Sequence, residues 1–377
     1  QPMNILYLNH YAGAPSLGME YRPYYLAREW VRLGHRVQVV ACTTSHVRAQ
    51  APSSTTGPIL QPTHQLIDGI DYFWIPGTPY QGNGLGRVKN IWSFLSQVWK
   101  KSEDIVKKFN PDVVIASSTY PMDIWVARRL AQKARAKLVF EVHDLWPLSP
   151  IELSGMSPWH PFIMLCQKAE NDAYRDSDYV VSMLPNVRQY MFEHGLDLSK
   201  LHIVPNGVAT DEWAEEPSPL REDVQVAIQN AKSMGHTVLG YAGSMGLSNA
   251  LDTLLDAAQI LLKNKVPVTI VMVGGGHETE RLLERVRSEN LQNVKLFSAI
   301  PKKQIPSFLK EIDVAYIGWQ RVPIYRFGIA PNKLMDYMMA GCVVLHSVDA
   351  GNDPVAEAGC GVTVPPESAI AVSDGLQ

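Results

Sequence analysis

Short apolar runs alternate with segments of helical periodicity along the first half of the chain. The apolar runs cover residues 4–9, 37–42, 113–116, 138–142 and 179–182. Residues 21–33 have the spacing of an amphipathic helix, and Gly34 ends that pattern. Apolar runs without strict alternation are typical of strands that are covered on both faces, so the pattern predicts a doubly wound parallel sheet.

The same alternation restarts in the second half. Its apolar runs cover residues 238–242, 269–273, 294–297, 314–317 and 342–346. We interpret the polar and acidic residues 215–223 (EEPSPLRED) as the connection between two domains. The sequence therefore predicts two Rossmann-like α/β domains, at residues 1–208 and 209–377, that face each other across a cleft.

Composition narrows the class of protein. The 377 residues suffice for two cores, and 46% hydrophobic against 19% charged residues excludes wholesale disorder. A net charge of −3 argues against a nucleic-acid partner. The four cysteines lie far apart without metal-ligand spacing, so we expect a protein of the reducing cytoplasm without disulfides or structural zinc. No run of about 18 apolar residues occurs, so no membrane-spanning helix is predicted.

Ligands of open α/β sheets bind beyond the carboxyl ends of the strands, which makes the loops there the candidate sites. The loop after the first apolar run contains Gly13 and Gly18, and Glu20 and Arg22 begin the next helix. Glycines let a ligand approach the backbone, and a helix N-terminus can bind an anion. A plain loop followed by an acid at the helix start is the alternative interpretation.

A second candidate loop begins with His143 and Asp144, directly after the apolar run at residues 138–142. A histidine beside an acid can orient a ligand hydroxyl or move its proton. Such pairs are also common as structural contacts, and the position at the end of a strand is what favours a functional role.

Two glycine-containing turns follow apolar runs of the second half. Gly243 and Ser244 follow the first run, and Gly275 and Gly276 follow the second. Turns of this kind suit the approach of a phosphate or nucleotide. Neither matches the GxGxxG pattern of dinucleotide sites, and tight turns alone also explain these glycines.

The segment at residues 326–341 is the most informative. Pro331 suits the first turn of a helix, and Gly341 suits its end. Lys333 and Asp336 are three residues apart and therefore share one helix face. A cation there can bind a diphosphate, and a carboxylate can accept hydrogen bonds from two ribose hydroxyls. A surface ion pair at a helix start would explain the charges but not the whole string.

Two other patterns are interpreted as structural. Residues 82–86 (GNGLG) follow no clear strand, so we expect a mobile surface loop rather than a phosphate loop. Asp176 and Asp178 form a DxD pattern that is typical of metal sites, but they fall between a helix and a strand. We expect a turn there, and neither a metal ion nor another cofactor.

Taken together, these segments resemble the family 4 glycosyltransferases, which are retaining enzymes with the GT-B fold of two Rossmann-like domains. The resemblance extends over essentially the whole chain. It is closest to the bacterial branch of WbuB-type enzymes, which is associated with adding amino-sugars during O-antigen and capsule assembly. The strings that carry it are GMEYRPYYLAREWVRLGHRVQVV at residues 18–40, EVHDLWP at 141–147, VPNGV at 204–208, PNKLMDYMMAG at 331–341 and EAGCGVTVPPE at 357–367.

The resemblance assigns roles to individual residues. Asp336 matches the second acid of the family's paired motif, which binds the nucleotide ribose, whereas Gly328 stands at the position of the first acid. The family's diphosphate-binding Arg and Lys have no counterpart in residues 243–251, so we expect Lys333 with Arg326 to supply the positive charge. The expected donor-binding residues are Gly18, Asn206, Gly243, Ser244, Gly275, Gly276, Arg326, Asn332, Lys333 and Asp336. The expected catalytic residues are His143, Asp144 and Glu20, and the expected acceptor-binding residues are Glu20 and Arg22.

The implied activity is retaining, metal-independent transfer of a sugar from a nucleotide donor. We expect UDP with an N-acetylated hexose, or otherwise a GDP-sugar, and a glycan or lipid-diphosphate-linked acceptor in bacterial surface polysaccharide synthesis. A sugar-nucleotide epimerase of the two-Rossmann type and a non-enzymatic sugar-binding protein are the alternatives. The resemblance also implies that a C-terminal helix, which crosses back to the first domain, follows Gln377.

Residues 87–108 combine six lysines and arginines with apolar residues at helical spacing. The apolar residues are Ile91, Trp92, Phe94, Leu95 and Trp99. Such a segment can lie on anionic lipid headgroups, or its apolar face can simply cover the sheet. Residues 1–208 carry 20 Lys and Arg against 17 Asp and Glu, so the local charge agrees with a peripheral position on the inner face of the cytoplasmic membrane.

Overall fold

The computed structural model describes residues 1–18, 21–45, 48, 50–55, 57–81 and 84–377. These residues form two compact units, Gln1–Pro205 and Asn206–Gln377. The division lies next to the boundary expected at residues 208 and 209.

The first unit is built on a mainly parallel sheet. Its strands are β1 Asn4–Leu8, β2 Arg36–Cys42, β3 Ser53–Ser54, β4 Gly57–Pro58, β5 Thr63–Ile67, β6 Ile70–Ile75, β7 Val113–Ala116, β8 Lys137–Val142, β9 Tyr179–Ser182 and β10 Leu201–Ile203. Within the described part of this unit, eight of them form one sheet in the order β10-β9-β8-β7-β1-β2-β6-β5. Only β5, which pairs with β6, runs antiparallel in that sheet, and β3 and β4 form a separate two-stranded hairpin.

Helices cover this sheet and connect its strands. They are α1 Tyr21–Arg32, α2 Leu85–Lys100, α3 Ser102–Phe109, α4 Asp123–Ala134, α5 Leu148–Ser154, α6 Pro161–Asp176 and α7 Arg188–Glu193. The central strands are buried along most of their length, as expected for a sheet that is covered on both faces. The strand order places the carboxyl ends of β8, β7 and β1 side by side.

The second unit contains a fully parallel sheet within its described residues, in the order β13-β12-β11-β14-β15-β16. The strands are β11 Thr237–Ser244, β12 Val268–Gly275, β13 Val294–Phe297, β14 Val314–Gly318, β15 Val343–Ser347 and β16 Gly361–Val364. The helices are α8 Thr210–Ala214, α9 Glu222–Ser233, α10 Leu251–Lys263, α11 Thr279–Ser288, α12 Ile305–Glu311, α13 Asn332–Met339, α14 Pro354–Ala358 and α15 Ala369–Gly375. The prediction of two Rossmann-like α/β domains is confirmed.

The connection predicted at residues 215–223 is wrong, because this segment belongs to the second unit. Helix α9 begins at Glu222 and packs its apolar side into the core of that unit. The Arg221 guanidinium donates hydrogen bonds to the carbonyls of Ser298 and Ala299, at 3.1 Å each. Acidic and proline residues therefore mark the loop before a packed helix, not a link between domains.

Residues 87–108 lie on α2 and α3, and most of their apolar face covers the sheet. Ile91, Phe94 and Leu95 are almost fully buried. Trp92 and Trp99 instead point outward, with 37% and 42% of their surface exposed. In the part of the chain that the structure describes, no helix is long and apolar enough to cross a membrane.

The DxD segment is a turn, as predicted. Helix α6 ends at Asp176 and β9 begins at Tyr179. Asp176 forms an ion pair with Arg128, and Asp178 accepts a hydrogen bond from the Leu138 N–H at 2.8 Å. Residues 82 and 83 of the predicted GNGLG loop lie outside the described residues.

A buried acid anchors the start of α4 to the end of β7. Asp123 is fully buried, and its Oδ2 accepts a hydrogen bond from the Ser118 N–H at 2.9 Å. Burial raises the pKa of Asp123 to about 7, against the opposing effect of the hydrogen bonds from Ser117 and Ser118. The native state therefore holds this proton at a pH where the unfolded chain has lost it.

This proton makes the stability of the protein depend on pH. Because the pKa of Asp123 is higher in the folded state, its ionisation destabilises the fold as pH rises from about 4 towards 7. Asn at this position can still accept the Ser118 hydrogen bond and does not ionise. We compare the unfolding free energy of Asp123→Asn with that of the wild type at two pH values. The difference, variant minus wild type, should be on the order of 2 kcal/mol larger at pH 8 than at pH 5. Urea unfolding at both pH values checks this, and an equal difference at both would contradict it.

Candidate functional site

The carboxyl ends of β1, β7 and β8 carry a cluster of hydrogen-bonded polar side chains. Asn9 Nδ2 donates to the Ser117 carbonyl at 2.8 Å. The His10 ring is fully buried, with Nδ1 2.7 Å from the Tyr120 hydroxyl and Nε2 2.7 Å from Asn90 Oδ1. Side chains from three neighbouring strands thus meet at the edge where an open α/β sheet binds its ligands.

Glu141 is at the centre of this cluster. Its Oε1 accepts hydrogen bonds from the Tyr7 hydroxyl, from Ser117 Oγ at 2.9 Å, and from His143 Nε2 at 2.6 Å. Its Oε2 lies 3.5 Å from Nη2 of Arg22. One carboxylate therefore contacts two of the predicted site residues, His143 and Arg22.

The surroundings of Glu141 keep it ionised although it is buried. Burial alone would raise its pKa, but the hydrogen bond and charge of His143, with smaller effects of Arg22 and Tyr7, lower the pKa to about 2. An ionised carboxylate can only accept hydrogen bonds, so each of its partners must donate.

Asp144 follows His143 in the sequence, but the Nε2 atom of His143 bonds to Glu141 and not to Asp144. Burial raises the pKa of Asp144, and the nearby polar groups of Ser149, Trp146 and Leu145 oppose the rise. The predicted pair of His143 and Asp144 is therefore replaced by a pair of His143 and Glu141.

The structure places two other predicted residues of the first unit, Arg22 and Gly18, at the same edge of its sheet. Arg22, near the start of α1, also donates to the Val204 carbonyl at 2.8 Å. Gly18 pairs with Ala14 in an isolated antiparallel bridge of the loop after β1. Glu20, predicted as catalytic and acceptor-binding, lies outside the described residues.

In the second unit, the turns after β11 and β12 pack directly against each other. A Cβ atom on Gly274 would lie 1.8 Å from the Gly243 carbonyl oxygen, and one on Gly276 would lie 2.5 Å from the Met245 carbonyl oxygen. The Gly275 carbonyl accepts a hydrogen bond from the Met245 N–H at 3.0 Å. Close packing of two backbone turns therefore explains Gly274 and Gly276, whereas a Cβ atom on Gly275 would meet no other atom within 4 Å. Ligand contacts of Gly275 and Gly276 remain predictions.

Lys333, at the start of α13, lies against the β11 turn. A Cβ atom on Gly243 would lie 2.2 Å from its Cε, and its ammonium lies 5.4 Å from the centre of the Tyr241 ring. The Tyr241 hydroxyl in turn donates to the carbonyl of Ser244 and holds the turn. Burial lowers the pKa of Lys333, with Asp336 opposing the change.

Lys333 and Asp336 have unsatisfied hydrogen-bonding capacity. Among the residues that the structure describes, none forms a hydrogen bond or ion pair with the Lys333 ammonium or the Asp336 carboxylate. Burial raises the pKa of Asp336 to about 6, and the charges of Lys302 and Lys333 oppose the rise. Half-buried charges without protein partners are costly and are typical of binding sites.

The loop before α13 is held by its own contacts. Asn206 Nδ2 donates to Asn332 Oδ1 at 2.8 Å and to the Ala330 carbonyl at 3.2 Å. Arg326 donates to the Pro323 carbonyl at 2.8 Å, and its guanidinium lies over the Phe327 ring. Gly328 has φ +98°, a conformation in which an acidic side chain would be strained.

Sequence reasoning missed Glu141, Tyr7 and Ser117. One signal could have identified the first: Glu141 is an acid inside the otherwise apolar run LVFEV at residues 138–142 of β8. An acid in a strand that is covered on both faces must have buried partners. The partners themselves come from other strands and carry no local signal.

No group of three or more His, Cys, Asp or Glu side chains within the described ranges is arranged to hold a metal ion. The prediction of a metal-free site remains a prediction.

Solved structures share this two-unit fold. Sucrose-phosphate synthase from Thermosynechococcus elongatus is 17% identical with a TM-score of 0.70, covering 99% of this chain and 89% of that one. HepE from Anabaena, solved with UDP and glucose, is 16% identical with a TM-score of 0.63, covering 99% and 89%. WaaG, a glycosyltransferase involved in lipopolysaccharide biosynthesis, is 14% identical with a TM-score of 0.63 and the same coverage. The likeness defines the class: this is a GT-B fold.

Residues 18–207 match the model of the glycosyl transferase 4-like domain, which spans just over half of the chain. Residues 226–377 match the model of the glycosyl transferases group 1. The chain therefore belongs to the glycosyl transferase 4-like family. A search of curated protein sequences gives no significant match.

The unpaired Lys333 makes a prediction for the ligand-free protein. Replacing it with Met keeps an unbranched side chain, one atom shorter, and removes a partly desolvated charge, so we expect Lys333→Met to raise the unfolding free energy by about 1 kcal/mol. Urea unfolding without ligand checks this. Lys295→Met, at an exposed position of β13, is the control and should change little. A lower stability of Lys333→Met would mean that protein contacts satisfy this charge.

Proposed function

We propose that the protein transfers a sugar from a nucleoside diphosphate donor to an acceptor hydroxyl, with retention at the anomeric carbon and without a metal ion. The observation that carries the proposal is the pair Lys333 and Asp336, which lie one helical turn apart and form no hydrogen bond or ion pair with any described residue. A cation and an anion at this spacing match the two ends of a nucleoside diphosphate, whose phosphates are anionic and whose ribose hydroxyls donate hydrogen bonds.

The donor diphosphate would contact Lys333, the amides at Gly243 and Ser244, and the N-terminus of α13 at Asn332. This N-terminus offers free N–H groups and a favourable dipole for an anion. The ribose would contact Asp336. Arg326 and Asn206, which support the loop before α13, would complete the donor side.

UDP with an N-acetylated hexose is the proposed donor, with a GDP-sugar as the second candidate. HepE, which shares the fold, was solved in complex with UDP and glucose. The resemblance to the WbuB-type branch and the likeness to WaaG support a role in bacterial surface polysaccharide synthesis, such as that of an O-antigen. The acceptor would be a glycan or a lipid-diphosphate-linked sugar.

Retention is proposed to occur by attack from the face of the departing diphosphate. A double displacement would need a carboxylate that can reach the anomeric carbon. Glu141 does not suit that role, because its side chain is only 4% exposed and already accepts three hydrogen bonds. The protein would then act by stabilising charge on the leaving group and by aligning the reactants.

A thermal-shift panel tests donor binding. UDP and UDP-N-acetylhexoses should raise the melting temperature of the wild type, in the presence of EDTA, by mass action. Asp336→Ala and Lys333→Ala should abolish the shift, because each removes a contact that the nucleotide needs. Lys295→Ala is the matched control and should respond as the wild type does.

Transfer itself is measured with the donor that binds and a set of lipid-linked acceptors. We expect Lys333→Ala to reduce kcat by at least about 100-fold, because it removes the main positive charge at the leaving group. Near-normal turnover in that variant would remove Lys333 from the mechanism. Donor conversion without any acceptor would identify an epimerase, and binding without turnover would identify a sugar-binding protein.

Contact with the membrane surface through residues 87–108 is a further part of the proposal. Since Ile91, Phe94 and Leu95 are buried, the contact would use the outward stripe of α2 instead. That stripe consists of Leu85, Lys89, Trp92, Ser96 and Trp99. Exposed tryptophans beside lysines suit the boundary between anionic headgroups and acyl chains.

Flotation with vesicles of phosphatidylcholine and phosphatidylglycerol tests this contact. The wild type should float at low salt, and the double substitution Lys89→Ala with Trp92→Ala should reduce the bound fraction several-fold. Phe192→Ala removes a more exposed aromatic side chain from α7 and should leave binding unchanged. Absence of wild-type binding to these vesicles would refute the contact.

A further inference from the structure

We propose that Glu141 is the positioning residue of the acceptor side: it fixes which ring nitrogen of His143 carries a proton, and it holds Arg22 at its other carboxylate oxygen. This inference rests on the proposed function for its consequence in catalysis, but its structural part can be tested without activity. Glu141 itself does not touch substrate, because its side chain is 4% exposed.

The tautomer of His143 follows from the chemistry of its partner. The ionised carboxylate offers acceptor atoms only, and Nε2 of His143 lies 2.6 Å from its Oε1. Nε2 must therefore carry a hydrogen. Any proton that His143 gives to a ligand, or takes from one, then passes through Nδ1.

Ser117 strengthens this assignment. Its Oγ lies 2.9 Å from Glu141 Oε1 and 2.9 Å from His143 Nε2. Because the Ser117 hydroxyl donates to the carboxylate, its oxygen is left to accept from the imidazole. Both neighbours of Nε2 are thus acceptors, and the opposite tautomer would leave a nitrogen lone pair facing two oxygens.

Arg22 is held at the same carboxylate from another element. It comes from α1, and its Nη2 lies 3.5 Å from Glu141 Oε2, while His143 comes from the end of β8. Tyr7, on β1, donates to Oε1 from within the sheet. The carboxylate thereby fixes two predicted acceptor-side residues relative to the rigid strands, as supporting residues do in other polar sites.

Glutamine at position 141 has the same shape without the charge. We therefore expect Glu141→Gln to reduce kcat by about 10-fold or more, with little change in the donor KM, because the Glu141 charge that orients the His143 ring is lost. If Glu141 acts through His143, then the double variant of Glu141→Gln and His143→Ala should have a kcat less than about 2-fold below that of His143→Ala alone.

Glu170→Gln is the matched control. Glu170 is also a buried carboxylate of the first unit, but on α6, where it contacts Tyr174, Tyr190 and Gln167. This variant should keep kcat within about 2-fold of the wild type. A comparable loss in both variants would mean that removing any buried carboxylate disturbs this unit, and the positioning role would be refuted.

The tautomer is read directly by 15N NMR of histidine-labelled wild-type protein, with His143→Ala to assign the signals. We expect the hydrogen of neutral His143 on Nε2. Finding it on Nδ1, or finding that the effects of Glu141→Gln and His143→Ala on kcat multiply, would overturn the proposal. This readout needs no activity, so it decides the structural part even if sugar transfer is not found or Glu141→Gln does not fold.

Discussion

The buried charge of Glu141 is the constraint on which the first unit depends. Moving a carboxylate out of water costs several kcal/mol unless hydrogen-bond donors replace the water. Here the donors come from β1, β7 and β8, with Arg22 of α1 beside the second oxygen. A shift of any of these strands relative to its neighbours would leave the charge without partners. The site geometry and the strand order of this unit are therefore fixed together.

The second unit follows the opposite principle. Lys333 and Asp336 are brought next to each other by α13, yet neither charge has a hydrogen bond or ion pair with a described residue. The glycines at 274 and 276 instead serve to bring two backbone turns together beside them. A fold that leaves charges unsatisfied loses stability, and a ligand that binds them restores it. One unit thus holds a completed polar network, and the other holds an incomplete one.

The sequence predicted most of the strands that are covered on both faces, because their apolar runs are continuous, but it missed the buried strand Ile70–Ile75. Val113–Ala116 and Tyr179–Ser182 agree with the predicted residues at both ends. Thr63–Ile67 was missed because its residues are only partly buried and lie at the sheet edge. The candidate loops were found because ligands of open α/β sheets bind beyond the carboxyl ends of the strands. The hydrogen-bond partners within the site were not found, because Tyr7 and Glu141 are 134 residues apart and meet only through the strand order.

Within the proposed function, one electrostatic argument explains two departures from the family pattern. The first acid of the paired motif is replaced by Gly328, whose φ of +98° disfavours any larger side chain. The turn after β11 also lacks the family's two basic residues, so Lys333 is the cation beside it. An acid at position 328 would oppose the positive charge that Lys333, with Arg326, is proposed to supply for the diphosphate. Without that acid, the site has less negative charge to offset, and Lys333 and the backbone N–H groups of the turn and of α13 can do so with fewer basic residues. The loss of the acid therefore compensates for the loss of the two basic residues after β11.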